Sequence, residues 1–334
     1  MKHLKIINFL ILSWILEALD KNKGKKIDFA VGGQAVIEGV MMRSPNNITI
    51  AVRKPDGKVK VKKNPYRSLV QRKKWLNVPI IRGVINLFEM MAIGSKAINF
   101  SANETIEQPS APKKNKTKKN KIFETSMFIV SFVLAIAFSL FLFKFIPLWI
   151  TTFIESKNHY IEQNYIIFNL IDGFLKTLVF LSYIFLLSLI PSFKRVFEYH
   201  GSEHKSIFTY ENKLPLEIKN AKKQSRFHPR CGTSFILIVF VISVLVYTFV
   251  PKQENFSVNL AVRLAFLPII AGISYEYLKL SAKFAKNRFV KALIAPGLWF
   301  QRLTTKNPDS KQLEIGLRSL KEALILEKKN KSLL

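Results

Sequence analysis

Cysteine is almost absent: Cys231 is the only one in 334 residues. A lone thiol cannot close an intramolecular disulfide, which excludes a disulfide scaffold and suits soluble parts that face a reducing cytoplasm. Histidine is nearly as scarce, at five residues, and 22 Asp plus Glu stand against 52 Lys plus Arg, a formal charge of +30. No G-x-x-x-x-G-K or G-x-G-x-x-G pattern occurs, so the "GGQAVIEG" stretch reads as a turn beside a strand and not as a phosphate cradle. The basic excess contains no nucleic-acid-binding motif and lies in segments beside apolar runs. That placement argues against specific nucleic-acid recognition and for membrane lipids as partners, through an anionic inner-leaflet surface.

Apolar side chains are what the sequence has in plenty. They make up 49% of it, with 28 Phe, more than a soluble domain of this charge content carries. Four segments approach the ~20 helical residues needed to cross ~30 Å of hydrocarbon. They are 127–150, 173–190, 233–250 and 260–280, the last interrupted by Pro268 and Gly272. Charge sets their direction. Nine Lys/Arg lie in 191–230, twelve follow Leu280 and six fill "KKNKTKKNK", whereas 151–165 and 251–259 hold one each. All the rich segments fall on one side, which places both termini in the cytoplasm. The expected location is the bacterial inner (cytoplasmic) membrane, crossed several times.

The fold class expected is a mainly α membrane protein of about four transmembrane helices, with a small cytoplasmic α+β portion. The divisions are an N-terminal apolar helix (1–27), an α+β segment (28–100), a basic linker (101–122), a membrane domain (123–280) with a cytoplasmic His/Cys loop (191–232), and a cytoplasmic C-terminal segment (281–334). In the α+β segment, Ile48, Ile50 and Val52 alternate with polar or small residues, "KPDG" supplies a turn, and Val59 and Val61 resume the alternation: a β-hairpin. Upstream, strand geometry would point Gln34, Val36 and Glu38 the same way. Residues 78–102 read as a helix whose Arg82 and Glu89 reach polar groups below the membrane face.

Three of the five histidines and the only cysteine fall within 32 residues, from His200 to Cys231. In "EYHGSEHKSIF", His200 and His204 are four apart, one helical turn, so both rings can reach one ion. The order H-x-x-E-H is the inverted zinc-protease arrangement, in which the carboxylate, here Glu203, activates metal-bound water as general base. A tetrahedral catalytic site needs a third protein ligand, and His228, Cys231 and Glu276 are the candidates. The plain alternative is that these residues brace a loop. A five-residue pattern arises by chance, Gly201 weakens helix inside it, and Cys231 opens an apolar helix where it can simply pack. Clustering at one membrane face favours the metal reading, with zinc the best-suited divalent ion. Gln34, Glu38, Arg82 and Arg230 complete the candidate polar site, the arginines as partners for an anionic substrate.

Taken together, "GGQAVIEGVMMRSP", "VPIIRGV", "EYHGSEHKSIFTYE", "RFHPRCGTSF", "SYEYLKL" and "PGLWFQRLTTKNPDSKQLEIGLRSL" resemble the YqhQ-like family of bacterial membrane proteins, from about Gly32 to Leu326. That family carries a domain of unknown function and is sometimes labelled a predicted metal-dependent enzyme. The resemblance implies the same architecture and puts His200, Glu203, His204, His228, Cys231, Glu276, Gln34 and Glu38 at motif positions, without supplying a reaction. Two functions follow as expectations: a metal-dependent, hydrolase-like enzyme at the cytoplasmic membrane face, or a non-enzymatic scaffold or transport component in which the cluster is structural or a metal or proton relay.

Overall fold

The computed structural model describes residues 31–106, 118–284 and 287–332. The apolar helix expected in 1–27 lies outside the described residues, as do 107–117 of the expected linker. Of the linker's remaining residues, 101–105 close one helix, Ile106 caps it in an extended conformation, and 118–122 open the next.

Four short strands form an antiparallel meander in the order β1 (Gly32–Val36), β2 (Gly39–Arg43), β3 (Asn47–Arg53), β4 (Val59–Pro65). The hairpin expected from alternation is β3–β4, with Ala51 opposite Val61 and Arg53 opposite Val59. Its turn closes through Gly57, whose φ of 80° suits glycine alone, and through a bond from Lys54 N to Lys58 O at 2.9 Å.

Helices follow: α1 (Ile81–Thr105), α2 (Lys118–Leu140) running through a π-turn (Phe141–Phe145) into α3 (Ile146–Glu155), α4 (Tyr165–Leu189), α5 (Pro191–Glu211), α6 (Gly232–Thr248), α7 (Phe256–Ala265), α8 (Leu267–Lys283), α9 (Arg288–Thr304) and α10 (Ser310–Ser332). Among the described residues, three stretches are long and apolar enough to cross a membrane: Ile129–Glu155, Tyr165–Leu189 and Phe256–Ser281. Their outer surfaces leave Leu134, Phe138, Phe174, Phe185 and Leu186 exposed, as lipid-facing helices require. The remaining expected span, 233–250, is α6, apolar but only 17 residues long. The expected interruption near Pro268 is a break at Phe266, after which Pro268 occupies the first turn of α8, where its missing N–H costs nothing.

The expected His/Cys loop is different in kind. Its first half is the 21-residue helix α5, started by Pro191 directly after α4. Burial drives this. One face of the sheet (Val40, Met42, Ala51) packs on Tyr199 and Ile207 of α5 and on Ile315, Leu320 and Ala323 of α10. The opposite face (Met41, Ile48, Ile50, Val52) packs on Ala97 of α1, with Met90, Ile93 and Phe100 beside it. Residues before, between and after the membrane-length helices thus build one body. Gly83 and Gly272 let α1 and α8 cross closely, since a Cβ on Gly83 would lie 3.1 Å from Gly272 Cα.

Glu327 of α10 ties the far end of the sheet. Its buried carboxylate accepts from Ser44 Oγ (2.8 Å), Asn46 N (3.2 Å), Asn46 Nδ2 (2.5 Å) and Asn47 Nδ2 (2.9 Å). Removing the acceptor strands several donors at about 1–3 kcal/mol for each that stays dry. Glu327→Ala is therefore expected to lower the thermal unfolding midpoint in detergent while far-UV circular dichroism keeps its helical shape. Glu327→Gln should recover part of the loss.

Candidate metal centre

α5 carries His200, Glu203 and His204 near its middle, all buried. The helix continues through Gly201 because the chain after α9 crosses it there. A Cβ on Gly201 would sit 2.0 Å from the Lys306 carbonyl oxygen, and Lys306 N donates to Phe197 O at 2.8 Å. The crossing sets the first histidine. His200 donates Nδ1–H to Thr304 O (2.8 Å), which leaves the Nε2 lone pair 3.2 Å from Cys231 Sγ.

The second histidine is set by the 226–231 turn. His204 donates Nδ1–H to Arg226 O at 2.5 Å. That turn is clamped to α9 by Arg226 Nη1 bonding Thr305 O (2.8 Å), and by the Gln301 amide, which accepts from His228 N and donates to His228 O, each at 2.8 Å. Both imidazoles are thus oriented by backbone carbonyls, the usual support of metal-ligating histidines. His204 Nε2 is buried and makes no hydrogen bond of ordinary geometry, but it feels both the charge and a loose hydrogen bond of the Cys231 thiol.

Cys231 caps the N-terminus of α6, with Thr233 N 3.4 Å and Thr233 Oγ1 3.0 Å from Sγ. Burial alone would push its thiol up, but His204 and the Thr233 contacts outweigh it and hold the thiol below its ordinary value. The ligand atoms of His200, His204 and Cys231 all lie within 4.8 Å of one another. A tetrahedral ion with ~2.1 Å nitrogen and ~2.3 Å sulfur bonds needs donors about 3.4–3.7 Å apart. The closest pair, His200 Nε2 and Cys231 Sγ at 3.2 Å, is near that range, no pair exceeds 4.8 Å, and two imidazoles with one thiolate suit zinc.

Glu203 lies between β1 and this trio. Burial pushes its carboxyl up to about 8 and the Cys231 charge adds to this, while His200 and a bond from the Gly33 backbone act the other way. Gly33 has to be glycine, since a Cβ there would be 2.8 Å from Glu203 Cγ. Burial lowers His204 too, with the neighbouring His200 adding to the effect, so its ring favours the neutral form that ligates.

The other candidates are placed elsewhere. Both ring nitrogens of His228 are engaged, Nε2 with Glu211 (3.2 Å) and Nδ1 with Arg230 N (3.2 Å), and burial takes the ring down to about 4. Its ring centre is 5.7 Å from that of His204, so it walls the trio without joining it. Arg230 pairs with the same Glu211. Glu276 is held by Arg82, Nε to Oε1 at 2.6 Å, where the Gly83–Gly272 crossing brings α1 to α8. Gln34 and Val36 do share the α1 face, with the Gln34 amide seated over Gly94. Glu38 leaves that alternation because β1 ends at Val36. At φ 49° it sits in the β1–β2 turn and binds Arg195 (2.5 Å) and Tyr199 Oη (3.1 Å). Spacing alone did not single out Gly33, Thr304, Arg226 or Gln301. The glycine pair that opens β1 was the one available signal.

In an ordinary exposed helix, Gly→Ala stabilises by about 1 kcal/mol. At Gly201 the sign reverses: Gly201→Ala is expected to cost about 1–3 kcal/mol by forcing the Lys306 carbonyl away. A lowered unfolding midpoint checks this, and a raised one would contradict the crossing.

Comparison with known proteins places the chain. Residues 78–325 match the family described as "Protein of unknown function (DUF1385)". The chain is 36% identical over 316 residues to "Uncharacterized protein YqhQ" of Bacillus subtilis (strain 168), covering 90% of this chain and 94% of that protein. No solved structure matches. The chain belongs to this YqhQ-like, DUF1385 family.

Proposed function

We propose, with family membership as the premise, that this chain is a membrane-embedded metalloprotein. It would hold one divalent ion, zinc by donor chemistry, on His200, His204 and Cys231, and act as a hydrolase-like enzyme on a membrane-associated substrate. The observation that carries the reading is His204 Nε2. It is buried, it makes no hydrogen bond of ordinary geometry, its one side-chain partner is the Cys231 thiol, and its ring is pinned through Nδ1 toward the atoms offered by His200 and Cys231. A buried polar atom left unpaired costs about 1–3 kcal/mol, which a ligated ion would recover.

When bound, such an ion supplies Lewis acidity and brings a water's pKa toward ~7. Glu203, adjacent in the helix and steadied by Gly33, is the side chain placed to take and return a proton. The site lies where α5 follows α4 and where Cys231 precedes α6, at the helix ends flanked by the Lys/Arg-rich segments. By the charge rule that face is cytoplasmic.

One observation favours a second reading, an ion that fixes structure without turnover. His200, Glu203, His204 and Cys231 are only 9%, 5%, 1% and 5% exposed, the closure typical of structural sites. The test separates the two. Mass-spectrometric metal analysis of full-length protein in detergent should give about one ion per chain, lost in His204→Ala and in Cys231→Ser and kept in Glu203→Gln. Full occupancy in His204→Ala would overturn the site. With occupancy established, loss of turnover of a lipid or peptide pool in Glu203→Gln supports the enzyme, and no turnover in any form, with stability falling on chelation, supports the structural ion.

A further inference from the structure

The helical bundle has a second polar centre, independent of the first. Tyr247 stands at the far end of α6, about 24 Å from Cys231 at ~1.5 Å per residue. Three cations surround its ring: Lys144 from the π-turn, with Nζ 5.4 Å from the ring centre, Lys176 of α4 at 5.2 Å, and Arg263 of α7 with Cζ at 4.7 Å. All are buried, at 8%, 1% and 3% exposure.

One carboxylate answers them. Asp172 Oδ2 accepts from Lys176 Nζ and from Arg263 Nη1 (2.5 Å). The rest of the Arg263 fork is taken by Asn169 Oδ1 (2.5 Å) and Asn259 Oδ1 (3.4 Å), and Tyr247 donates to Arg263 O at 2.8 Å. The nearby Glu155 is paired with Lys252, which lies over the same Phe168 ring as Arg263, so it offers no spare charge. With both lysines protonated, two positive charges would be left without a counter-charge at membrane depth, where such burial is very costly.

Two valences are open as well. The Lys144 ammonium has three N–H groups and one contact, Tyr247 Oη at 3.5 Å. Asp172 Oδ1 is buried without a partner. A water could meet the hydrogen bonds but not the charge. Chloride or sulfate could meet the charge, but neither carries a proton to donate at neutral pH. A phosphate that retains one P–OH meets all three needs: its oxygens accept from the cations, its hydroxyl donates to Asp172, and its charge offsets theirs, by two units in free hydrogen phosphate and by one in a monoester.

We propose that Lys144, Lys176, Arg263 and Asp172 form a binding site for a phosphate group that keeps one P–OH, supplied either as free phosphate or as the headgroup of a phosphatidic-acid-type lipid. On the charge-rule orientation it lies toward the membrane face opposite the histidines.

The test uses the full chain in detergent at constant ionic strength. Thermal unfolding is followed against inorganic phosphate in one arm and phosphatidic acid doped into the micelles in the other, with sulfate and phosphatidylglycerol as controls. A saturable rise of several degrees in the first arm identifies a soluble phosphate, and in the second a lipid headgroup. Either supports the site. Lys144→Met leaves the Asp172–Lys176–Arg263 contacts in place. It should weaken binding at least tenfold while unfolding no earlier than the parent in the absence of ligand. No rise in either arm for the parent chain overturns the proposal without reference to any variant. An equal rise in Lys144→Met, or sulfate and phosphatidylglycerol matching their partners, overturns it too.

Discussion

Backbone meets backbone where residues 304–306 cross α5 at Gly201, and the histidine centre depends on that contact. No side chain fits there, because the Lys306 carbonyl occupies the volume a Cβ would need. Close approach lets Lys306 N reach Phe197 O and lets Thr304 O receive the His200 ring. Arg226 then bonds Thr305 O, which draws in the turn that supplies the carbonyl for His204 and the sulfur of Cys231. Both candidate imidazoles are thus oriented by a carbonyl from another element, the kind of support that keeps such a set in register. A glycine inside a helix is normally a small destabilisation. Here it is the condition for the assembly.

The same logic explains why the soluble part is not a separate domain. A four-stranded meander this short, apolar on both faces, cannot be stable with either face open. α1 covers one face and α5 with α10 the other. Since α5 is joined directly to α4, the sheet is fixed against the membrane helices through the element that carries the candidate ligands, and β1 brings Gly33 to Glu203 as a consequence of the pairing.

How much of this could be read from the sequence follows the range of each interaction. Periodicity is local, so the β3–β4 hairpin, α1 and the apolar helices were legible from alternation and run length. The His200/His204 pair was legible because i,i+4 spacing fixes a shared helix face. Choosing among His228, Cys231 and Glu276 as neighbours of that pair was not, because it turns on which chain segment crosses which. Three residues from Cys231, His228 is consumed by Glu211 and the Arg230 N–H. Glu276 is drawn to Arg82 by a glycine crossing that no spacing rule announces. Gly201, read as a helix weakener, and the glycine pair that opens β1 show the same limit. A residue's missing side chain gains meaning only from the atom that fills the space.

α6 brings the two polar centres into one argument. At 17 residues it is about 26 Å long, short of a ~30 Å hydrocarbon core. A helix whose ends stop inside apolar surroundings leaves backbone groups unpaired unless protein supplies partners. Both ends of α6 have them. At the N-terminus Cys231 Sγ accepts from Thr233 N, and the positive end of the helix favours the thiolate form. At the C-terminus Tyr247 O accepts from Asn169 Nδ2 at 2.7 Å, next to the cations, which the negative end of the helix stabilises. An N-terminus that suits an anionic sulfur and a C-terminus that suits buried cations are two effects of one dipole. Each end of α6 finishes in a polar centre of the sign it prefers, and the length of the helix sets the distance between them.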